Sequence, residues 1–283
     1  MMPCPDMKKE PNLMITPAEF PVPLIILPET DSTNNYLTQL CGEQQSVVRE
    51  FTTVIAERQT AGKGQRGNSW ESEDCRNITF SFVLYPTFVE ARRQFILSQI
   101  VSLSIKEELD EWTKGISIKW PNDIYWNEKK ICGILIENDL SGHHIGRSIS
   151  GIGVNINQET FRSNAPNPVS LKQITGQEHE RYLILANIMR RLKEYYILLQ
   201  TDSSGDAANC IAERYARSLF RREGFHRYAD ADGEFLARLL CVEPDGRFIL
   251  KDQAGKVRGY LFKEVQYICL LYTSPSPRDG LLS

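Results

Sequence analysis

The segment AERQTAGKGQRGNSWES, Ala56 to Ser72, combines three glycines with Lys63 and Arg66 in one short polar run. Gly62, Gly64 and Gly67 fall in the pattern G-x-G-x-x-G, and such a run can cradle an anion with backbone N–H groups and fixed cations. A dinucleotide fingerprint would have to open a helix directly after a strand. The residues that follow Gly67, NSWESEDCRNITFSFVLY, instead read as a second strand. A kinase lid lies between strands, but no HRD, DFG or VAIK segment accompanies this one. A solvated surface loop is the plain alternative. Trp70 argues against it, because a large apolar ring suits a loop that closes over a ligand.

Three further segments carry the same kind of chemistry. In KWPND (Lys119–Asp123), Pro121 cannot donate to a sheet and biases Trp120 toward extended backbone, so the strand breaks and presents Asn122 and Asp123 at its end. In KKICGILIEN, Lys130 opens an apolar strand; simple alternation puts Lys130 and Cys132 on one side and Ile131, Gly133 and Leu135 on the other. A solvated surface lysine is the alternative there. In SISGIGVNIN, alternation separates Ser150, Ile152, Val154 and Ile156 from Ile149, Gly151, Gly153 and Asn155. Two glycines on one face leave a flat floor that a ligand can approach closely, or mark a bulge.

The elements that must hold these residues can be read from periodicity. Strands are expected at Leu24–Leu27, Val47–Glu57 and Asn77–Tyr85, with a helix capped by Asp31, Ser32 or Thr33 running to about Cys41. A long amphipathic helix is expected over 91–113, then a cluster of short strands (ISIKW, DIYW, ICGILIEN, SISGIGVNI) with hairpin loops at NEKK and around His143–His144. Residues 180–200 and 207–222 read as helices. From Gly224 to Ile268 the texture becomes short strands with turns at PDGR and QAGK, as in a small barrel. CLLYTSPSPRDGLLS continues no pattern and reads as a non-native tail.

The bulk numbers set limits. The 283 residues are 41% hydrophobic and 24% charged with a formal net charge of −3, enough for a sizeable core. Such a balance gives no electrostatic reason to expect nucleic-acid or membrane binding. Seven cysteines without a CxxC pair are expected to be reduced thiols, as in a cytoplasmic protein. The proline-interrupted start lacks the apolar core of a signal peptide.

Taken in order, TDSTNNYL, RQTAGKGQRGNSW, KWPNDIYW, KKICGILIE and GIGVNIN resemble the biotin protein ligases, over about Leu24 to Tyr267. The resemblance implies an α+β fold class: a mixed sheet flanked by helices, related to the class II aminoacyl-tRNA-synthetase catalytic fold, with a small C-terminal β-barrel. It divides the chain into a proline-rich extension (1–23), a catalytic domain (24–223), a barrel (224–268) and the tail (269–283). With so few residues before the first strand, it implies the short form without a DNA-binding domain. The implied reaction joins biotin and ATP into biotinyl-5′-AMP and then passes biotin to a lysine of a biotin carboxyl carrier protein. Mg2+ accompanies ATP, and a homodimer is possible in this family.

The residue types suit that chemistry. A carboxylate attacking an anionic triphosphate needs cations and amides that offset the charge developing at the α-phosphate. By match to the family motifs, Lys130, Lys63 and Arg66 are the expected catalytic cations, with Lys130 bridging the biotin carboxylate and the phosphate. Ser32, Thr33 and Asn34 are expected at the ureido group, although a plain helix cap explains them equally well. Gln59, Gly62, Gly64, Gln65, Trp70, Gly133 and Gly151 are expected to line the ligand site, and Asn122, Asp123 and Asn155 to hold the nucleotide, with Asp123 and Asn155 as Mg2+ ligands. The glycine-hinged loop, plugged by Trp70, would shield the adenylate from water. Family loops commonly read GRGRxGRxW; here Lys63, Gln65 and Asn68 replace the arginines, so looser retention of the adenylate is expected. A lipoate or octanoate ligase and a non-catalytic biotin-binding module are the rival readings.

Overall fold

The computed structural model describes residues 20–43, 48–64, 69–162 and 167–268. The expectations placed on most of the N-terminal extension, on Gln65 and Arg66 and on the tail fall outside these residues. The chain divides into two units, one holding the chain up to Phe220 with Pro244–Gly246, the other Arg221–Glu243 and the chain from Arg247 on.

The first unit is built on a seven-stranded mixed sheet. Its strands are β1 (Leu24–Thr30), β2 (Thr53–Gln59), β3 (Ile78–Leu84), β4 (Ile116–Lys119), β5 (Asp123–Trp126), β6 (Lys129–Ser141) and β7 (His144–Val154), in the order β1-β2-β3-β7-β6-β5-β4. Only β1 and β2 run parallel; every other neighbour is antiparallel. Among the described residues five α-helices accompany it: α1 (Thr33–Glu43), α2 (Phe95–Asp110), α3 (Leu171–Thr175), α4 (Arg181–Thr201) and α5 (Asp206–Arg217).

Registers across the sheet sort the side chains into two faces. Val54 pairs with Ser81, Ser81 with Gly151, and Gly151 with Leu135, so these share one face. On that face Ile25, Leu27, Val54, Ala56, Val83 and Ile149 pack with Leu37 and Cys41 of α1. On the opposite face Ile55, Phe80, Phe82, Ile152 and Ile134 are buried. Glu57 of β2, on that opposite face, binds Arg181 and Tyr182 of α4. The sheet is therefore covered by α1 over one part of one face, and the rest of that face is where the glycines lie.

Several boundaries differ from the periodicity reading, each for a local reason. Strand β2 begins at Thr53 rather than Val47, because Phe51 sits at φ 64° and Thr52 N–H turns back to the Arg49 carbonyl at 3.0 Å. The helix expected over 91–113 is a 3₁₀ turn, Ala91–Arg93, followed by α2. Helix α5 stops at Arg217 because the next residues join the sheet edge: Ile118 N–H donates to the Ser218 carbonyl and Phe220 N–H to the Ile118 carbonyl, both at 2.8 Å. Among the described cysteines Cys41, Cys132, Cys210 and Cys241 are free, whereas Cys75 is disulfide-bonded, against the expectation of reduced thiols throughout.

The second unit is a five-stranded antiparallel sheet. Its strands β8 (His226–Asp230), β9 (Gly233–Val242), β10 (Phe248–Asp252), β11 (Val257–Tyr260) and β12 (Gln266–Tyr267) are ordered β11-β10-β9-β8-β12. Where a small barrel is expected, β11 and β12 form the two edges and carry no mutual pairing among the described residues. Tyr228 centres an aromatic core with Phe235, Phe248 and Tyr267, at centroid distances of 6.1, 6.2 and 5.2 Å. Gly246 and Gly255 take φ of 90° and 87° in the PDGR and QAGK turns, which is the conformation those sequences favour.

Buried His179 makes the first unit sensitive to acid. Its ring lies edge-on to Trp112 at 4.9 Å and its Nε2 meets Thr175 Oγ1 at 2.7 Å, while burial lowers its pKa below the ordinary 6.5. The unfolded chain therefore binds a proton that the folded one resists, so stability is full above about pH 6.5 and declines as pH falls below it. Urea titrations across pH 5 to 8 are expected to show this slope, and His179→Gln to flatten it.

Candidate active site

The candidate site forms where β3, β7 and β6 present polar and small residues on the face left bare by α1. Gly151 and Gly153 lie side by side with Leu135 and Gly133 of β6 across the β6–β7 ladder. The flat floor expected from SISGIGVNIN is present, with the Asn34 and Trp70 side chains packed directly on the two glycines. A Cβ on Gly151 would stand 2.4 Å from Asn34 Oδ1, and one on Gly153 would stand 2.1 Å from the Trp70 ring. Neither position leaves room for a side chain.

A polar wall closes the Gly151 end. Helix α1 starts at Thr33, which brings Thr33 and Asn34 down onto the sheet. Thr33 N–H donates to Gln59 Oε1 at 2.8 Å, and the Thr33 hydroxyl lies 3.2 Å from the same oxygen. Asn34 donates through Nδ2 to Glu137 Oε2 at 2.8 Å and accepts at Oδ1 from Ser81 Oγ at 2.6 Å. Ser32, Thr33 and Asn34 are all buried; a surface helix cap would leave them wet.

Trp70 and Lys130 hold the Gly153 end. Trp70 N–H donates to the Gly62 carbonyl at 2.8 Å, and Lys63 bridges Ser69 in antiparallel fashion. The two ends of the glycine-rich segment are thus tied together at the edge of the floor. The indole lies over Gly133 and Gly153, with its Nε1 buried and unpartnered among the described residues. Lys130 Nζ stands 6.0 Å from the centre of that ring and donates to Asp123 Oδ2 at 2.7 Å.

Lys130 reaches this face through an irregularity that alternation cannot show. Tyr125 of β5 pairs with Lys130, while Ile124 pairs with Cys132, so Ile131 is an extra residue on β6. The bulge turns Lys130 to the side of Gly133, against the expected grouping of Lys130 with Cys132. Cys132 points into the core, and burial pushes its thiol pKa up.

The other expected residues divide. Asn155 donates its backbone N–H to the Ile131 carbonyl at 2.9 Å and its Nδ2 to the Val169 carbonyl at 3.2 Å, leaving an Oδ1 that is buried and unpartnered among the described residues. Asn122 Oδ1, next to Asp123, is likewise buried and unpartnered among the described residues. Lys63 is not brought to Lys130; its ammonium donates to Asn35 Oδ1 on α1. Gly64 is the last described residue before the stretch that holds Gln65 and Arg66. Among the described residues no three His, Cys, Asp or Glu side chains gather as a metal cage. Sequence reasoning missed Ser81 and Glu137. A fully buried serine inside the apolar strand ITFSFVL was a usable signal; Glu137 needed the register.

A methyl at Gly153 tests whether the indole rests on the floor. Gly153→Ala is expected to drive Trp70 off the sheet and change the tryptophan fluorescence. The same substitution in a Trp70→Phe background should leave the remaining fluorescence as it was.

Comparison with known proteins agrees with this geometry. Residues 27–155, which include the whole floor and both its ends, match the Biotin/lipoate A/B protein ligase family. The similar proteins include biotin ligases of several organisms. The biotin–[acetyl-CoA-carboxylase] ligase of Paracoccus denitrificans is 28% identical over 82% of this chain and 95% of its own. The bifunctional ligase/repressor BirA of Bacillus spizizenii is 28% identical, and the match covers 73% of this chain but 63% of that protein. The biotin protein ligase of Aquifex aeolicus, solved in complex with biotin and ATP, superposes with a TM-score of 0.69 at 28% identity, over 87% of this chain and 99% of that one.

Proposed function

We propose that this chain is an ATP-dependent biotin protein ligase, which forms biotinyl-5′-AMP from biotin and ATP and transfers the biotinyl group to a lysine of a biotin carboxyl carrier domain. The observation that carries the reading is the layout of one sheet face. A buried hydrogen-bonding wall and a lysine ammonium stand at opposite ends of a floor made of glycine. Gly151 and Gly153 are two residues apart, about 7 Å along a strand, a span suited to a short acyl chain between a polar ring and a carboxylate.

In this reading Thr33, Asn34 and Gln59 bind the ureido ring, and the chain of the acid lies along Gly151 and Gly153. Lys130 lies between the carboxylate and the α-phosphate, where it offsets the negative charge that builds as the new P–O bond forms and pyrophosphate leaves. Asp123 orients Lys130. The orphaned carbonyl oxygens of Asn122 and Asn155 suit donors on the nucleotide base. Trp70 must leave the floor when the ligand enters, and it then caps the anhydride against water. Mg2+ is carried by the triphosphate as part of the substrate, and the Asp123 carboxylate is the anionic group that would meet it.

No protein nucleophile is required, because the amine of the carrier lysine attacks the acyl carbon and AMP departs with the bonding pair. Mass spectrometry of a carrier domain after incubation with this protein, biotin and Mg-ATP should show one biotinyl group on one lysine. ATP–pyrophosphate exchange driven by lipoate and not by biotin would establish the lipoate ligase instead. Biotin binding without exchange would establish a non-catalytic module.

A further inference from the structure

We propose that Glu137 is a positioning residue that sets the direction of hydrogen bonding in the polar wall and thereby selects a ligand ring carrying an N–H donor. This rests on the ligase reading above. An ionised carboxylate can only accept, so Glu137 Oε2, 2.8 Å from the Asn34 amide, holds the Nδ2 end of that amide toward itself. The carbonyl end is then turned to Ser81 Oγ at 2.6 Å.

The consequence spreads along the wall. Ser81 has one hydroxyl proton and two acceptors in reach, Asn34 Oδ1 and Thr33 Oγ1 at 2.8 Å. An amide carbonyl cannot donate, so with Asn34 in this orientation the Ser81 proton goes to Asn34 Oδ1 and not to Thr33, whose own hydroxyl faces the acceptor Gln59 Oε1 at 3.2 Å. Were Asn34 flipped, Ser81 would accept from the amide and its proton would pass to Thr33. Glu137 is the member of the row that forbids the flip.

The direction decides what a ligand meets. Asn34 Oδ1 lies against Gly151, closer than a Cβ on that residue would tolerate. The floor at this end therefore offers a carbonyl oxygen with a lone pair still to use. A cyclic urea has an N–H to give it; a dithiolane ring has none. With Asn34 reversed, an amide N–H would face the ligand N–H, and the two donors would repel.

Glu137 is exposed on its outer edge, so its replacement leaves the fold intact. Glu137→Ala is expected to raise both the KM and the calorimetric Kd for biotin about tenfold, with KM for ATP unchanged. Glu137→Gln, whose amide can donate or accept, should fall between this and the parent. Preference for biotin over biotin methylated at either ureido nitrogen should shrink in Glu137→Ala, an effect that mere loosening would not produce. Adding Ser81→Ala to Glu137→Ala should cost less than the product of the two single effects, because both act through Asn34.

An unchanged Kd for biotin, equal rises for biotin and ATP, or an undiminished preference for the unmethylated ring would overturn the proposal. If the parent protein binds biotin without pyrophosphate exchange, the ligase reading fails while Kd still tests Glu137. A parent that binds no biotin ends both.

Discussion

Lys130→Ala is expected to lower biotin-dependent ATP–pyrophosphate exchange by about a hundred- to a thousandfold, the usual effect of removing one preorganised donor from a developing negative charge. The ammonium is placed by two independent constraints. The bulge at Ile131 turns it onto the floor, and the Asp123 carboxylate at 2.7 Å holds its tip beside the indole of Trp70. Its side chain is about a quarter exposed, at 24%, so closure of a ligand over it would strengthen its field by excluding water. A guanidinium is longer and planar and cannot occupy the same point, so Lys130→Arg should recover little. Asp123→Asn keeps the ammonium and loses only its orientation, and a smaller loss, about tenfold, is expected. Full exchange activity in Lys130→Ala would remove the charge argument and assign the adenylation to other groups.

The two ends of the site differed in how far the sequence revealed them. Gly151 and Gly153 share a face of a regular strand, so simple alternation identified the floor correctly. Lys130 was identified by type and motif, but its direction was misjudged, because a one-residue bulge reverses every side chain beyond it and leaves no mark in composition. Thr33 and Asn34 were ambiguous for another reason. Residues that cap a helix and residues that bind a polar ring are the same small hydroxyls and amides, and only burial under the sheet separates the two roles. Glu137 could not be found at all without knowing which β7 residue it opposes. The strand order has the same character. Local pattern marks the strands, but pairing β3 with β7 depends on contacts far apart in the chain. The helix ends at 217 and 93 were lost to tertiary events, a sheet edge recruiting residues 218–220 and a 3₁₀ turn before α2.

The largest effect on folding is expected from Glu57→Ala, which should destabilise the first unit by about 3–5 kcal/mol. Glu57 is the third-last residue of β2 and points to the face opposite the site, where its side chain is 3% exposed. It accepts from Arg181 Nη2 at 2.8 Å and from the Tyr182 hydroxyl, and Arg181 Nη1 donates to the Asn77 carbonyl at 2.9 Å. Burial, followed by the Glu57 charge, pushes the Tyr182 phenol pKa upward, as expected for a donor held against a carboxylate away from water. Removing the carboxylate strands a guanidinium that is itself 12% exposed, with one carbonyl left as partner. That penalty is a large part of the roughly 5–15 kcal/mol that holds a domain folded. Glu57→Gln keeps an acceptor and should lose less. Replacing both partners, Glu57→Leu with Arg181→Met, removes both buried charges at once and should regain most of the loss. Urea titration is the measurement: a midpoint that falls in Glu57→Ala and recovers in the double variant supports the account. A single variant within about 1 kcal/mol of the parent would show that solvent already reaches the pair. The ligand site should be spared, because Glu57 touches none of its residues, and exchange activity per folded molecule should stay near the parent's.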